Sequence, residues 1–250
     1  MQRILLLGGT TEAAIMARCL AQCGHDAVFS YAGRTRAPHA QPLPVRVGGF
    51  GGVAGLRTYL RAHAISHVID ATHPFAARMS HNAAEACAAD GVALCRVERC
   101  AWTPTPDDRW IDVPDVAGAT QALPRNAARV FLATGRQNLH AFAACPQHHY
   151  LLRLVDPPQA PLPLPDHSVI VARGPFDTNE DLALLRTHGI TLIVAKNAGG
   201  DGARAKIEAA RILGLPVIMI ARPALPAGTV FTRTPDVLRW LDHGPALRGV

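Results

Sequence analysis

Short apolar runs alternate with segments of helical periodicity along the whole chain. Runs rich in Val, Ile and Leu predict buried parallel strands, and apolar residues at helical spacing predict helices that pack on a sheet. The predicted strands are Arg3–Leu7, Ala27–Tyr31, Val45–Val47, His67–Asp70, Ala93–Val97, Val130–Ala133, Leu151–Val155, Val169–Ala172, Leu192–Ala195 and Val217–Ile220. The predicted helices include Thr11–Cys23, Ala76–Ala89, Asn179–His188 and Ala203–Leu213. This alternation predicts an α/β fold of mostly parallel sheets with helices on both faces.

Two stretches interrupt the alternation. Thr103–Asp115 mixes Pro, Asp and Trp, and Pro157–Pro165 is too rich in proline for a helix or a central strand. The first stretch precedes a second α/β series, which predicts a boundary near residue 125 and domains at residues 1–125 and 126–250. The second stretch is predicted to be a rigid connecting loop. We expect two Rossmann-like domains with the active site in the cleft between them, because ligands bind at the carboxyl ends of parallel strands.

Composition narrows the kind of partner. Hydrophobic residues make up 49% of the 250 residues, enough to bury a core. Lys and Arg number 25 against 19 Asp and Glu, a net charge of +6 that favours anionic partners. The cations form no run and are not interleaved with aromatic residues, so we expect a small polyanion and no nucleic acid.

The cysteines and the apolar runs indicate the compartment. Six cysteines without a C-x-x-C pair predict reduced structural thiols. The chain opens on a predicted strand without a signal peptide, and no apolar run approaches the ~20 residues that span a bilayer. We therefore expect a cytoplasmic protein without a membrane partner, as a monomer or small homo-oligomer.

A glycine turn follows the first strand and leads into a helix. Gly8, Gly9, Thr10 and Thr11 match the G-x-G-x-x-G pattern only in degenerate form, with Thr10 in place of the second Gly and Ala13 at the third position. Glycines at such a turn let backbone N–H groups approach a pyrophosphate at the positive end of the helix. The alternative is a tight turn with a Thr cap. Its place after the first strand favours dinucleotide binding.

The end of the second strand favours NADPH over NADH. NAD-preferring folds commonly end this strand in an acid that holds the ribose 2′-hydroxyl. This chain has no acid there and carries Arg34 and Arg36, whose guanidinium groups suit a 2′-phosphate. A solvated basic turn is the alternative. Four glycines at 48, 49, 51 and 52 follow the third strand, and they fit a close ligand approach, a mobile lid or a flexible connector.

The loop after the fourth strand carries polar groups. Thr72, His73 and Pro74 stand at the carboxyl end of this strand, where a nicotinamide or a substrate binds. His73 is the candidate proton donor by its ordinary pKa and location, while a water or a substrate carboxylate serves equally well. An ordinary hydrogen-bonded loop histidine is the remaining alternative. The Tyr-x-x-x-Lys pair of short-chain dehydrogenases, nucleophile elbows and zinc spacings are absent from the sequence.

Taken in order, the motifs resemble those of the precorrin-6A reductase family of cobalamin biosynthesis. The resemblance covers nearly the whole chain, and it rests on GGTTEA, VGGFGG, DATHPFA, the Arg-rich Arg96–Trp102 segment, GRQ, ARGPF, KNAGG, AKIEAAR and IARP. It implies that NADPH reduces one double bond of the precorrin-6A macrocycle to give precorrin-6B. Relatives in the oxygen-independent route act on the cobalt-containing analogue. The implied reaction needs neither flavin nor metal.

The resemblance and the motifs together give a set of expected site residues. We expect the first domain to bind NADPH through Gly8, Gly9, Thr10, Thr11, Arg34, Arg36, Gly49, Thr72, His73 and Pro74. The macrocycle is a polycarboxylate tetrapyrrole, which needs fixed cations. We expect the second domain to bind it through Arg136, Arg173, Gly174, Lys196, Asn197, Gly199, Lys206 and Arg222.

Two other classes of protein remain open. A non-catalytic NADP-sensing or polyanion-binding module would need the first-domain loop but not the cations of the second domain. A reductase of another polycarboxylate would keep the NADPH loop, with cations suited to a smaller ligand. Neither accounts for the ordered motifs across both domains.

Overall fold

The chain forms two parallel six-stranded sheets with helices packed on them. The structure is a computed structural model that describes residues 2–33 and 39–243. Within these residues the strands are β1 Arg3–Leu7, β2 Asp26–Tyr31, β3 Val45–Val47, β4 His67–Asp70, β5 Ala93–Val97, β6 Arg109–Val113, β7 Arg129–Ala133, β8 His149–Leu154, β9 His167–Val171, β10 Leu192–Lys196, β11 Pro216–Ile220 and β12 Thr229–Phe231. The α-helices are α1 Thr11–Gln22, α2 Val53–Ala62, α3 Ala77–Asp90, α4 Val116–Gln121, α5 Leu139–Phe142, α6 Thr178–Thr187, α7 Ala205–Leu213 and α8 Thr234–His243.

Both sheets have the strand order of a Rossmann fold. The first sheet runs β3-β2-β1-β4-β5-β12 and the second β9-β8-β7-β10-β11-β6, and neighbouring strands are parallel in both. In each sheet, five strands follow one another along the chain from a central strand, first two on one side and then two on the other, and the remaining edge strand, β12 or β6, lies outside this series. The predicted class of two Rossmann-like α/β sheets is confirmed, and the ten predicted strands lie within two residues of their predicted ends.

The division into units corrects the predicted boundary near residue 125. The described residues up to Cys100 and from Ala224 onward form the first unit, and Ala101–Pro223 form the second. The stretch predicted as an interruption contains β6, which pairs with β11 in the second sheet. The carboxyl-terminal β12 pairs with β5 in the first sheet. Sequence pattern missed both because β6 is a partly exposed edge strand and β12 has three residues, so neither shows a long apolar run.

Alternate side chains of the central strand β1 cover both faces of the first sheet. Ile4 and Leu6 pack in a cluster with residues of α1 and α8, whereas Leu5 and Leu7 pack in a cluster with residues of α2 and α3. All four are 2% exposed or less. A strand buried on both faces reads as a continuous apolar run, which is the pattern that predicted it.

Capping residues fix where several helices begin. The Asp115 and Asp177 carboxylates accept hydrogen bonds from backbone N–H groups in the first turns of α4 and α6. Gly91 and Gly214 end α3 and α7 in the left-handed conformation. All six cysteines are free thiols. Among the described residues, no helix combines the length and apolar character needed to cross a membrane.

One histidine in each unit is buried with an unsatisfied ring nitrogen. His67 is 7% exposed and lies edge-on to Trp240, and His148 is fully buried. The Nδ1 of His148 accepts a hydrogen bond from the Ala128 N–H at 3.2 Å. Within the described part of the chain, neither Nε2 has a hydrogen-bond partner. Burial therefore lowers the pKa of both histidines below the ordinary value of 6.5.

We expect the free energy of unfolding to decrease as the pH falls below about 6.5. In that range His67 and His148 bind protons in the unfolded state, whereas their lowered pKa values keep them neutral in the folded state. Each buried histidine contributes a slope of at most about 1.4 kcal/mol per pH unit, and the contribution is absent above that range. His148→Asn keeps an acceptor near Nδ1 and should give a shallower loss of unfolding free energy in urea titrations between pH 7.5 and 5.5. The exposed His140→Asn variant is the control, and equal slopes in both variants would contradict the assignment.

Candidate functional site

The carboxyl ends of β1, β2 and β4 lie side by side in the first unit. Leu7 at the end of β1 is in register with Ser30 of β2 and with Asp70 of β4. The chain adds strands to opposite sides of β1, so this point is the topological switch point at which open parallel sheets bind ligands. The predicted turn after β1 and the predicted loop after β4 are therefore neighbours.

Gly8 and Gly9 are required for two different reasons. A Cβ at Gly8 would lie 2.1 Å from the Phe29 ring, so packing excludes any side chain there. Gly9 has a φ of +119°, and no atom lies within 4 Å of the place where its Cβ would be. The backbone at Gly9 therefore needs glycine for its conformation and borders open space. This turn fits the close approach of a phosphate group to the backbone.

The Thr10 hydroxyl joins the turn after β1 to the end of β4. It accepts a hydrogen bond from the Ala13 N–H at 3.1 Å, which caps α1, and donates one to the Ala71 carbonyl at 2.8 Å. Thr11 is the first residue of α1. One side chain thus caps α1 and links the start of this helix to the end of β4. Thr10 is therefore both the cap of the helix and a residue of the turn that was predicted to bind the ligand.

The loop after β4 is organised by a buried carboxylate. Asp70 is 3% exposed, and its Oδ1 accepts hydrogen bonds from the Thr72 N–H at 3.1 Å and the Thr72 hydroxyl at 2.7 Å. The Phe75 N–H donates to Nδ1 of the exposed His73 at 3.2 Å. This bond requires an unprotonated Nδ1, so it places the proton of a neutral ring on Nε2. Pro74 is buried.

The glycine segment after β3 is held in place by Arg46, which sequence reasoning missed. The guanidinium donates to Ser30 Oγ and to the carbonyls of Gly48 and Gly49, and it lies 3.8 Å from the centroid of the Phe50 ring. Gly48, Gly51 and Gly52 have positive φ values. These contacts favour a fixed loop over the predicted alternative of a mobile lid. A signal was present in the sequence, since this arginine stands inside a short apolar strand directly before a segment with four glycines.

The second-strand arginines Arg34 and Arg36 lie outside the described residues. The residue before them, Gly33, has a φ of +74°, and a Cβ on it would lie 3.4 Å from the Gly48 Cα. The end of β2 is thus packed against the glycine segment after β3.

In the second unit, Arg136 and Arg173 both lie beside Asp156. Arg136 donates to the Asp156 carbonyl at 3.0 Å, and the Arg173 guanidinium lies 4.0 Å from the Asp156 carboxylate. Arg136 follows β7, Asp156 follows β8 and Arg173 follows β9, so all three lie at the carboxyl edge of the second sheet. Gly174 follows Arg173, and a Cβ on it would lie 3.2 Å from the Phe176 ring. Two predicted cations are therefore brought together.

The turn after β10 uses several predicted site residues for its own structure. The Asn197 amide exchanges hydrogen bonds with the Trp102 backbone at 2.8 and 2.9 Å, and Arg222 donates to the carbonyls of Asn197 and Ala198, both at 3.0 Å. The Trp102 indole donates to the Gly200 carbonyl at 2.8 Å. Lys206 is 5% exposed, and its ammonium group donates a hydrogen bond to the Ala203 carbonyl. The ammonium nitrogen lies 5.0 Å from the centroid of the Trp102 ring.

The same turn leaves Lys196 and Gly199 at the carboxyl edge. Lys196 ends β10 and is partly buried, and Gly199 has a φ of +68°. Beside this strand, Thr134 directly follows β7 and is 4% exposed. Within the described residues its hydroxyl lacks a hydrogen-bond partner. Sequence reasoning missed Thr134 and Trp102, because neither residue type signals a site without its tertiary neighbours.

Comparison with known proteins covers the whole chain. A model of the family described as Precorrin-6x reductase CbiJ/CobK matches residues 3–242. A Rhodobacter capsulatus protein named Precorrin-6A reductase is 62% identical over 251 residues, covering 100% of both chains. A Sinorhizobium sp protein of the same name is 51% identical over 221 residues, covering 88% of this chain and 85% of the relative. A solved structure named CobK precorrin-6A reductase is similar with a TM-score of 0.94, 62% identity and full coverage of both chains.

We expect Thr10→Val to lower the free energy of unfolding by about 1–3 kcal/mol, because it removes the cap of α1 and the bond to β4 together. Urea unfolding followed by circular dichroism measures the change. Thr10→Ser retains a hydroxyl that can make both bonds and should stay close to the original stability. Equal stability of the Val variant would show that the two bonds contribute nothing.

Proposed function

Since the chain belongs to the precorrin-6x reductase family, we infer that it reduces precorrin-6A in cobalamin biosynthesis, and we propose NADPH as the reductant. The observation that carries this conclusion is the match to a precorrin-6A reductase along 100% of both chains, which includes both units. The reaction saturates one double bond of the macrocycle and gives precorrin-6B. Because both reported relatives are named for precorrin-6A, we propose the cobalt-free macrocycle as substrate.

The residues at the switch point of the first unit fit a dinucleotide. The open space at Gly9 and the start of α1 at Thr11 suit a pyrophosphate, and Gly8 and Thr10 fix the shape of the turn. Arg34 and Arg36 follow β2 in sequence, where a 2′-phosphate is recognised in NADP-binding folds, and this position is the basis for proposing NADPH. The fixed loop containing Gly49 would lie along the adenosine end. A nicotinamide cofactor of this kind supplies a hydride when it is bound.

The loop after β4 would serve the nicotinamide end. Asp70 holds Thr72 through two hydrogen bonds, and buried Pro74 limits movement of the backbone between them and Phe75. His73 keeps its ring proton on Nε2, the nitrogen opposite the Phe75 N–H, and this nitrogen could deliver a proton to the carbon next to the one that receives hydride. Hydride and proton together complete the reduction, so the proposal needs neither flavin nor metal.

The carboxyl edge of the second unit would hold the carboxylates of the macrocycle. Arg136, Arg173 and Lys196 supply the cations, and Gly174 and Gly199 allow the backbone to come close to a ligand. Asn197, Lys206 and Arg222 bond to backbone groups of their own unit, so we propose that they set the shape of the turn after β10. We also propose that the reaction takes place in the cytoplasm.

We expect anaerobic mixing of the purified protein with precorrin-6A and NADPH to consume NADPH, seen as loss of absorbance with a spectral change in the tetrapyrrole. NADH should react far more slowly. In the double variant R34M/R36M, the KM for NADPH should rise about 10- to 100-fold while the KM for NADH changes little, because only the 2′-phosphate contacts are lost. Equal rises for both cofactors would contradict the role of the two arginines, and no NADPH consumption by the unsubstituted protein would contradict the proposed reductant.

We expect Arg173→Met to raise the KM for precorrin-6A about tenfold while leaving the KM for NADPH unchanged, because one cation for a substrate carboxylate is lost. Steady-state rates with each substrate varied in turn measure both values. Arg186→Met on α6 makes the same change in charge within the same unit and is the matched control. A rise in the KM for NADPH alone would show that Arg173 contributes to the cofactor site and not to the substrate site.

A further inference from the structure

A carboxylate occupies the helix end at which a phosphate group would bind. Glu12 is the second residue of α1 and lies in its first turn, two residues after the cap Thr10. An acid in this position stabilises the helix through the positive end of the helix dipole. The same end of the same dipole is what attracts a pyrophosphate. Glu12 and a bound dinucleotide would therefore repel each other.

Arg99 reaches this carboxylate from the loop after β5. Its Nη1 lies 2.8 Å from Oε2 of Glu12. The two side chains are 17% and 27% exposed, so water screens their charges less than it would on an open surface. The neighbouring cation Arg96 bonds to Glu98 and to the Pro226 carbonyl, which separates its role from that of Arg99.

The place of this ion pair follows from the sheet. β5 neighbours β4, which neighbours β1, and all three end at the same edge. Arg99 follows the end of β5 and Glu12 follows the turn after β1, so the pair spans the carboxyl end of β4. The loop with Thr72 and His73 begins at that same strand end. The pair thus borders the proposed positions of both the pyrophosphate and the nicotinamide.

We propose that Arg99 is a positioning residue for the dinucleotide, and that it acts by neutralising Glu12 at the start of α1. This inference rests on the proposed binding of NADPH in the first unit. Without Arg99, the Glu12 carboxylate would face the cofactor phosphates uncompensated. With Arg99 in place, Glu12 stabilises the helix while the helix end remains able to accept an anion. The role of Arg99 therefore depends on the presence of Glu12, which distinguishes it from a direct cofactor contact.

A double-mutant cycle tests this dependence. The dissociation constant of NADPH is measured by nicotinamide fluorescence for the unsubstituted protein, E12Q, R99M and E12Q/R99M. We expect R99M to bind NADPH about tenfold more weakly, E12Q to bind at least as tightly as the unsubstituted protein, and the double variant to recover to within about twofold. R99K keeps the cation and should bind NADPH almost normally. Under steady-state turnover, R99M should raise the KM for NADPH and leave kcat nearly unchanged.

Arg3→Met is the matched control for charge. Arg3 begins β1 and pairs with Asp26 at the opposite edge of the same sheet, at 3.5 Å. The substitution removes one positive charge from the same unit, about 17 Å along the strand from Gly8. We expect it to leave NADPH binding unchanged. Urea midpoints for every variant separate a loss of folding from a loss of binding.

Three results would overturn the inference. Unchanged NADPH binding in R99M would show that Glu12 does not need neutralising, and weakened binding in E12Q would show that the carboxylate itself helps to hold the cofactor. A double variant as weak as R99M would show that Arg99 does not act through Glu12. If the unsubstituted protein failed to bind NADPH at all, the proposed function would fail and this inference with it, whereas the three results above contradict the inference alone.

Discussion

The parallel pairing of β1 with both β2 and β4 is the constraint on which the first unit depends. It sets Leu7 opposite Ser30 and Asp70, so the turn after β1 and the loop after β4 begin at one level of the sheet. The Thr10 hydroxyl can then reach the Ala71 carbonyl while it caps α1. A shift of one residue in either pairing would turn the buried side chains of a strand to the opposite face. Burial of both faces therefore fixes the register, and the register places the site.

In each sheet, the strand at the sixth position of the Rossmann order does not directly follow the fifth strand along the chain. β12 lies next to β5 and arrives after the whole second unit, whereas β6 lies next to β11 and precedes the other strands of its own sheet. Each covers a strand that would otherwise leave its backbone groups exposed at an edge. The chain consequently passes between the units twice, and a single linear boundary cannot describe the domains.

Many cations of this basic chain make contacts within the fold. Arg46 bonds to the carbonyls of Gly48 and Gly49, and Arg222 bonds to those of the turn after β10. Arg153 forms an ion pair with Asp181, whose side chain is buried. Arginine suits this work because its planar group can donate to several acceptors at once. A net positive charge thus agrees with an anionic substrate, but it does not identify the side chains that bind it.

The sequence by itself determined the α/β class, ten of the strands and the position of the glycine turn, because buried parallel strands and glycines at strand ends leave local patterns. It also indicated the family, through motifs that occur in order over nearly the whole chain. Only the tertiary structure decided the sheet to which β6 and β12 belong, the anchoring of the glycine loop by Arg46, and the pairing of Glu12 with Arg99. These features join residues far apart in the chain, and their contacts depend on strand order and packing, which no local pattern encodes.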